Sequence, residues 1–223
     1  MRYALIFLCL GTCLVIAAIQ TGGWGWLLLW PAASVALIAA GYAWLGAGVF
    51  GKHRDGRFSW WAVVLHWPYL LSTLFVWYFL RWAIAENPAD EVAPGIWVAR
   101  RPLHFEVPPG VRWVVDVTAE FWVASCVRGG REYVCYPTLD GHICDDATFS
   151  AIVREVAELE GAILIHCAQG HGRSAALAVG VMLARGLAAN VDEAEQRLIA
   201  ARPKVGLKKS QRALVDRLAD SDV

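Results

Sequence analysis

The sequence predicts an α/β domain, a central sheet flanked by helices, preceded by an all-α membrane region of about three helices. Three observations carry that prediction. Long runs almost free of charge fill residues 1–85, strand-like and helix-like stretches alternate beyond them, and a glycine-interrupted loop joins a β-type apolar run to a helical segment.

The membrane region comes first. Up to Ala85 the only charged residues are Arg2, Lys52, Arg54, Asp55, Arg57 and Arg81, and the 223-residue chain is 57% hydrophobic, too apolar for an ordinary soluble domain. Three runs result, about Tyr3 to Ile19, Trp24 to Phe50 and Trp60 to Leu80. Crossing a hydrocarbon core takes about 20 helical residues with ~17 as the lower limit, so the second and third runs suffice and the first is at the limit. Arg2 also suits the charged start of a signal peptide, but no small-residue cleavage site with a polar flank follows. Trp24, Trp26, Trp30, Trp60, Trp61, Trp77 and Trp82 crowd the run ends, as indoles do at headgroup level. Cys9 and Cys13, one helical turn apart, read as a small-residue packing face, since two ligands make no metal site. His66 and Pro68 read as a local kink satisfied by neighbours.

Glu86-Asn87-Pro88-Ala89-Asp90-Glu91 is charged and holds a helix breaker, which divides the chain into a membrane region (1–85), a linker (86–93) and a catalytic domain (94–223). Strand-like stretches fall at Glu132 to Tyr136 and Ile163 to Ile165. Helical patterns fall near Asp146 to Glu160, Ser174 to Ala188, Val191 to Ala201 and Ser210 to Asp220. Gly161 closes the first helix, and Asn190 or Asp192 caps the third. This domain is mildly acidic, so nucleic acid is not an expected partner.

The chemistry lies in Ile163-Leu164-Ile165-His166-Cys167-Ala168-Gln169-Gly170-His171-Gly172-Arg173-Ser174. A loop at a helix N-terminus offers unpaired N–H groups and the positive end of the macrodipole to an anion. Gly170 and Gly172 are expected to take positive φ, turning consecutive amides inward as an anion nest. Residues Ala168, Gln169, Gly170, His171, Gly172 and Arg173 would then surround a phosphate, with the Arg173 fork on two of its oxygens. Cys167 sits in the same positive field, which lowers a thiol pKa from about 8.5 toward the ~3.5–7.5 range and makes it a thiolate nucleophile. Ser174 is placed to donate to that sulfur when it leaves, and His166 to orient the loop from behind. His171 either adds charge over the phosphate or points to solvent. A general acid is also required, and Asp140, in a polar loop beside Gly141, is the choice. Asp145 and Asp146 compete, although an aspartate just before a helix is usually its cap. Asp116 reads as a strand-end residue. No cluster of metal-ligand residues accompanies the loop, and the chemistry asks for no cofactor.

His-Cys-x5-Arg-Ser is the signature of the cysteine-dependent protein tyrosine phosphatase superfamily, and residues 92 to 219 resemble its dual-specificity branch most. Pro94 to Arg100 is similar to the opening strand of that branch, Val114 to Thr118 to its next core strand, and Tyr136-Pro137-Thr138-Leu139-Asp140 to the segment that brings the general acid. The resemblance implies hydrolysis of phosphomonoesters through a phosphocysteine. Members acting on phosphoinositides commonly carry loop lysines where this chain has Ala168 and His171. A membrane anchor beside such a domain is similar to phosphatases of phosphatidylglycerophosphate. A protein phosphotyrosine substrate is the alternative, and a catalytically weak phosphate-binding membrane module is the alternative of another class. A sulfurtransferase also uses a loop cysteine, but Arg173-Ser174 at this spacing favours phosphate.

Sidedness sets two rules against each other. Lys52, Arg54 and Arg57 between the second and third runs put that loop and the N-terminus in the cytoplasm, and three spans then export the catalytic domain. A thiolate enzyme works best where its sulfur stays reduced, and with Cys167 set aside Cys126, Cys135 and Cys144 are an odd set that implies no disulfide framework. The chemistry favours a cytoplasmic catalytic domain, which needs an external N-terminus or a third segment that dips and returns.

Overall fold

The computed structural model of the chain describes residues 2–123, 129–141 and 144–220; Cys126 lies outside them. The contacts divide the chain into two units. One comprises Met1–His53, Arg57–Ala85 and Ala119–Trp122, the other Arg54–Gly56, Glu86–Thr118 and Val123–Val223.

The first unit is helical. α1 (Arg2–Thr21) packs on α2 (Leu29–Ala40), which is flanked by tighter and wider turns over Gly23–Leu28, Gly41–Leu45 and Gly46–Phe50, and α3 (Trp60–Ala83) follows. The close approach of α1 to α2 uses Gly11, where a Cβ would lie 3.3 Å from Val35 Cγ2, together with buried Ala18. Cys9 and Cys13, expected to form that face, are exposed instead. Helix α3 runs on through Pro68. Buried His66 is satisfied at both nitrogens: Nε2 donates to the Val49 carbonyl at 3.0 Å, which leaves Nδ1 to accept from the Ser34 hydroxyl at 2.9 Å. Arg2–Thr21, Gly23–Phe50 and Trp60–Ala83 are long and apolar enough to cross a membrane. Their outward faces carry Trp24, Trp60, Phe75 and Trp82, each more than two-thirds exposed.

The second unit is a five-stranded sheet with helices. β1 (Ala89–Ala93) and β2 (Ile96–Ala99) form an antiparallel hairpin around Gly95, and β3 (Val111–Asp116), β4 (Glu132–Cys135) and β5 (Ala162–His166) join in the order β1-β2-β5-β3-β4, parallel from β2 onward. Residues 89–93, within the span expected as linker, are therefore strand. Period-two alternation sorts β5 between two cores: Ile163 and Ile165 face the larger one with Val98 and Val115, while Leu164 faces Val111 and Val114. Four helices follow, α4 (Asp146–Ala157), α5 (Arg173–Ala184), α6 (Val191–Ala201) and α7 (Lys209–Asp220). α5 is buried along Arg173–Met182, and Gly180 admits Val153, whose Cγ2 would be 2.7 Å from any Cβ there. Asn190, rather than Asp192, caps α6 by accepting from Glu193 N at 2.9 Å. This places β5, the central strand, with its carboxyl end aimed at the N-terminus of α5.

Candidate active site

Cys167 is the first residue past β5 and is buried. The loop turns back at Gly170, whose φ of +77° is unfavourable for any side chain and whose Cβ would stand 2.6 Å from the Ala99 carbonyl carbon. That turn lets the Gly170 N–H donate to Cys167 Sγ at 3.2 Å. Gly172, expected to share the positive φ, has φ −124°; its constraint is steric, because a Cβ would lie 3.0 Å from the Gln211 side-chain nitrogen.

α5 then begins at Arg173. Its buried guanidinium donates to the carbonyls of Thr138 at 2.7 Å and Val117 at 3.5 Å, and its Nε stands 3.5 Å from Asp140 Oδ1. The loop therefore sets the Arg173 charge beside Cys167, and Asp140 reaches Arg173 from the segment after β4. Ser174 Oγ donates to Cys167 Sγ at 3.4 Å. Burial opposes ionisation of the thiol, but the Arg173 charge and the hydrogen bonds from Ser174 and Gly170 outweigh it, so the Cys167 pKa falls below the ordinary value.

The competing aspartates are engaged elsewhere. Asp145 caps α4, accepting from Thr148 N at 2.9 Å and Thr148 Oγ1 at 2.7 Å, and Asp146 pairs with both arms of Arg217 at 2.7 Å. Asp140 is more than half exposed. His166 is buried behind the loop, 3.9 Å from Asp116 Oδ1. Asp116 in turn accepts from Thr118 N, Thr118 Oγ1 and Tyr133 OH, which tie the ends of β3 and β4 beneath the site. His171 takes neither course expected of it: Nε2 lies 2.8 Å from Glu86 Oε2. Cys144 borders a recess beside Arg173 with Phe149, Leu177 and Gln211, and burial pushes its thiol up to about 11. It is no second thiolate. The described cysteines are free, and among the described residues no three metal-ligating side chains cluster.

Sequence reasoning missed Gln211 under the loop, and Glu86 and Arg202 beside it. Each reaches the loop from a distant element, so no local pattern marks them.

No family model and no curated protein matches the chain. Among solved structures, Tk-PTP in its active form is similar at 22% identity and TM-score 0.52, covering 62% of this chain and 100% of that one. PTPMT1 in complex with PI(5)P is similar at 15% identity and TM-score 0.52, covering 60% and 96%. The shared part matches the sheet-and-helix unit in size, and the second unit of this chain has the α/β fold of dual-specificity-like phosphatases.

Proposed function

We propose that this protein is a membrane-anchored phosphatase that hydrolyses phosphomonoesters through a phosphocysteine intermediate, with residues 1–85 as membrane region and 94–223 as catalytic domain. The observation that carries the reading is a buried, acidified thiol receiving hydrogen bonds from Gly170 N and Ser174 Oγ, with Arg173 and Asp140 beside it. Cys167 thiolate attacks phosphorus and the P–O ester bond breaks. The leaving oxygen takes a proton from Asp140. Water then attacks the phosphocysteine and gives its proton to the Asp140 carboxylate; the S–P bond breaks, and the hydrogen bond from Ser174 receives the returning thiolate. Inorganic phosphate departs. Throughout, Arg173 and the amides of Ala168 to Gly172 hold the three non-bridging oxygens, where the transition-state charge is spread. His166 orients the loop.

A lipid phosphate such as phosphatidylglycerophosphate is the proposed substrate. Glu86, already within the catalytic unit, follows the end of α3 at Ala83 by three residues, and a tether that short would favour a substrate held in the same bilayer. The structure of PTPMT1, similar in fold, was determined in complex with PI(5)P, which supports a lipid phosphate as substrate. The test is a panel of phosphatidylglycerophosphate, phosphatidic acid, phosphoinositides and phosphotyrosyl peptides, with full-length protein in liposomes. Peptides ahead by tenfold or more in kcat/KM, about 1.4 kcal/mol in transition-state binding, would make this a membrane-tethered protein phosphatase instead.

The proposed catalytic side is the cytoplasm. Arg54 belongs to the catalytic unit: its guanidinium lies 4.9 Å over the Tyr136 ring and pairs with Glu155, and its carbonyl accepts from Cys135 N at 2.8 Å. A basic loop in the same compartment as the catalytic domain would reconcile the loop charge with the thiol chemistry. On this reading α1 and α2 form the spanning hairpin, and α3, apolar along its whole length, dips into the bilayer and returns to the cytoplasmic side.

A further inference from the structure

Arg202, just past the end of α6, is 3% exposed. A buried guanidinium is costly unless its charge is met and its donors are used. Here NH1 donates to Asp90 Oδ2 at 2.6 Å and to the Asn87 carbonyl at 2.9 Å, and NH2 lies 3.4 Å from Glu86 Oε2. The remaining contact reaches the phosphate loop: NH2 donates to the Gln169 carbonyl at 3.3 Å.

That carbonyl belongs to the peptide whose N–H is Gly170 N, the group that donates to Cys167 Sγ at 3.2 Å. A trans peptide is planar, so its C=O and N–H point in opposite directions. Whatever holds the Gln169 oxygen outward turns the Gly170 N–H inward to the sulfur. A cationic donor on the oxygen also polarises the same peptide and strengthens the N–H as a donor. One residue earlier the Ala168 carbonyl is held outward in the same manner by Arg101 N at 3.1 Å. Glu86 completes the arrangement, meeting Arg202, the loop residue His171 at 2.8 Å and Lys204 at 3.1 Å.

We propose that Arg202 is a positioning residue for the nucleophile, orienting the Gln169–Gly170 peptide toward Cys167 while being held in place by Glu86, Asn87 and Asp90, the segment that follows the last apolar helix. The inference rests on the phosphatase reading and deepens it. Arg202 touches neither substrate nor sulfur; it acts through one peptide plane.

The readout is the Cys167 thiol. Among the described residues, the charged or polar groups around that sulfur are Arg173, Ser174 and the Gly170 N–H, with His166 behind the loop facing Asp116 and Asp140 facing Arg173. In the full-length protein in detergent, the rate of Cys167 alkylation by iodoacetamide is followed against pH, and inhibition of aryl phosphate hydrolysis by inorganic phosphate is measured beside it. Arg202→Gln, and Arg202→Lys as the milder variant should Gln prevent folding, are expected to raise the apparent thiol pKa by roughly half a unit or more and to weaken phosphate inhibition on the order of tenfold. Lys204→Gln, which alters the same Glu86 carboxylate without reaching the loop, should leave the thiol pKa unchanged. A folded Arg202→Lys or Arg202→Gln protein with wild-type thiol pKa and wild-type phosphate inhibition, whatever its thermal midpoint, overturns the proposal and leaves Arg202 a brace between β1 and α6. A wild-type protein that turns over no phosphomonoester would instead sink the phosphatase reading, and the alkylation profile would still report on the peptide.

Discussion

Asp140 Oδ1 stands 3.5 Å from Arg173 Nε, so among the described residues the segment after β4 brings a carboxylate to the arginine that opens α5. In the proposed mechanism that carboxylate is the general acid. Asp140→Ala should therefore slow esters with poor leaving groups by ~10²–10⁴-fold and activated aryl esters much less, because the latter depart without a proton. Steady-state kinetics over a leaving-group series checks it. Asp145→Ala should lower the thermal midpoint without that leaving-group dependence; the reverse pattern would move the acid to the helix cap.

The acidified thiol fixes a pH dependence. Because the folded-state pKa of Cys167 lies below its unfolded value, ionisation favours the folded protein. That contribution is complete above the unfolded thiol value of about 8.5 and is lost as pH falls through the lower folded value. Wild-type minus Cys167→Ser stability, from denaturant titrations across this range, should decline toward acid. The acid limb of kcat/KM should lie below the ordinary thiol range and shift upward in Ser174→Ala.

Cys167→Ser should abolish turnover of aryl phosphate while leaving phosphate-analogue binding in place, since the nest and Arg173 persist. Wild-type activity should survive a chelator. Activity in the serine variant, or chelator-sensitive activity in the wild type, would count against thiolate attack.

Gly170 tolerates no side chain. Gly170→Ala must accept positive φ and a collision with the Ala99 carbonyl, and the expected cost is about 1–3 kcal/mol with loss of most activity. Thermal unfolding and kcat/KM measured together check it; unchanged values for both would show that the loop relaxes freely.

Sidedness is read by labelling. Single cysteines at Ser59 and Lys208, exposed to a membrane-impermeant reagent in intact cells, should both stay unlabelled until lysis. Labelling of Lys208→Cys alone before lysis would make α3 a true span and put the active site outside.

Much of the catalytic unit was legible because its signals are local. Val191–Ala201 is helix to the residue, since Asn190 supplies its own cap, and the central strand and α5 follow from an apolar run, a glycine loop and an alanine-rich stretch. The end of α5 was not: it stops at Ala184 rather than Ala188 because the chain turns left-handed at Gly186. Cys9 and Cys13 satisfied the one-turn spacing of a packing face, but spacing alone does not say which stripe of a uniformly apolar helix meets its neighbour. Gln211, Glu86 and Arg202 reach the loop across 39, 85 and 33 residues of chain from their partners Gly172, His171 and Gln169. Contacts of that range belong to tertiary packing, which no periodicity encodes.

The nucleophile's strand, β5, is flanked by β2 on one side and β3 on the other, and the ten residues following the loop are buried along α5. The flanked central strand and the buried helix are the elements expected to open last, so Cys167 is mounted on the most stable part of the domain. Heat inactivation should consequently coincide with collapse of the whole domain rather than with loss of a peripheral element.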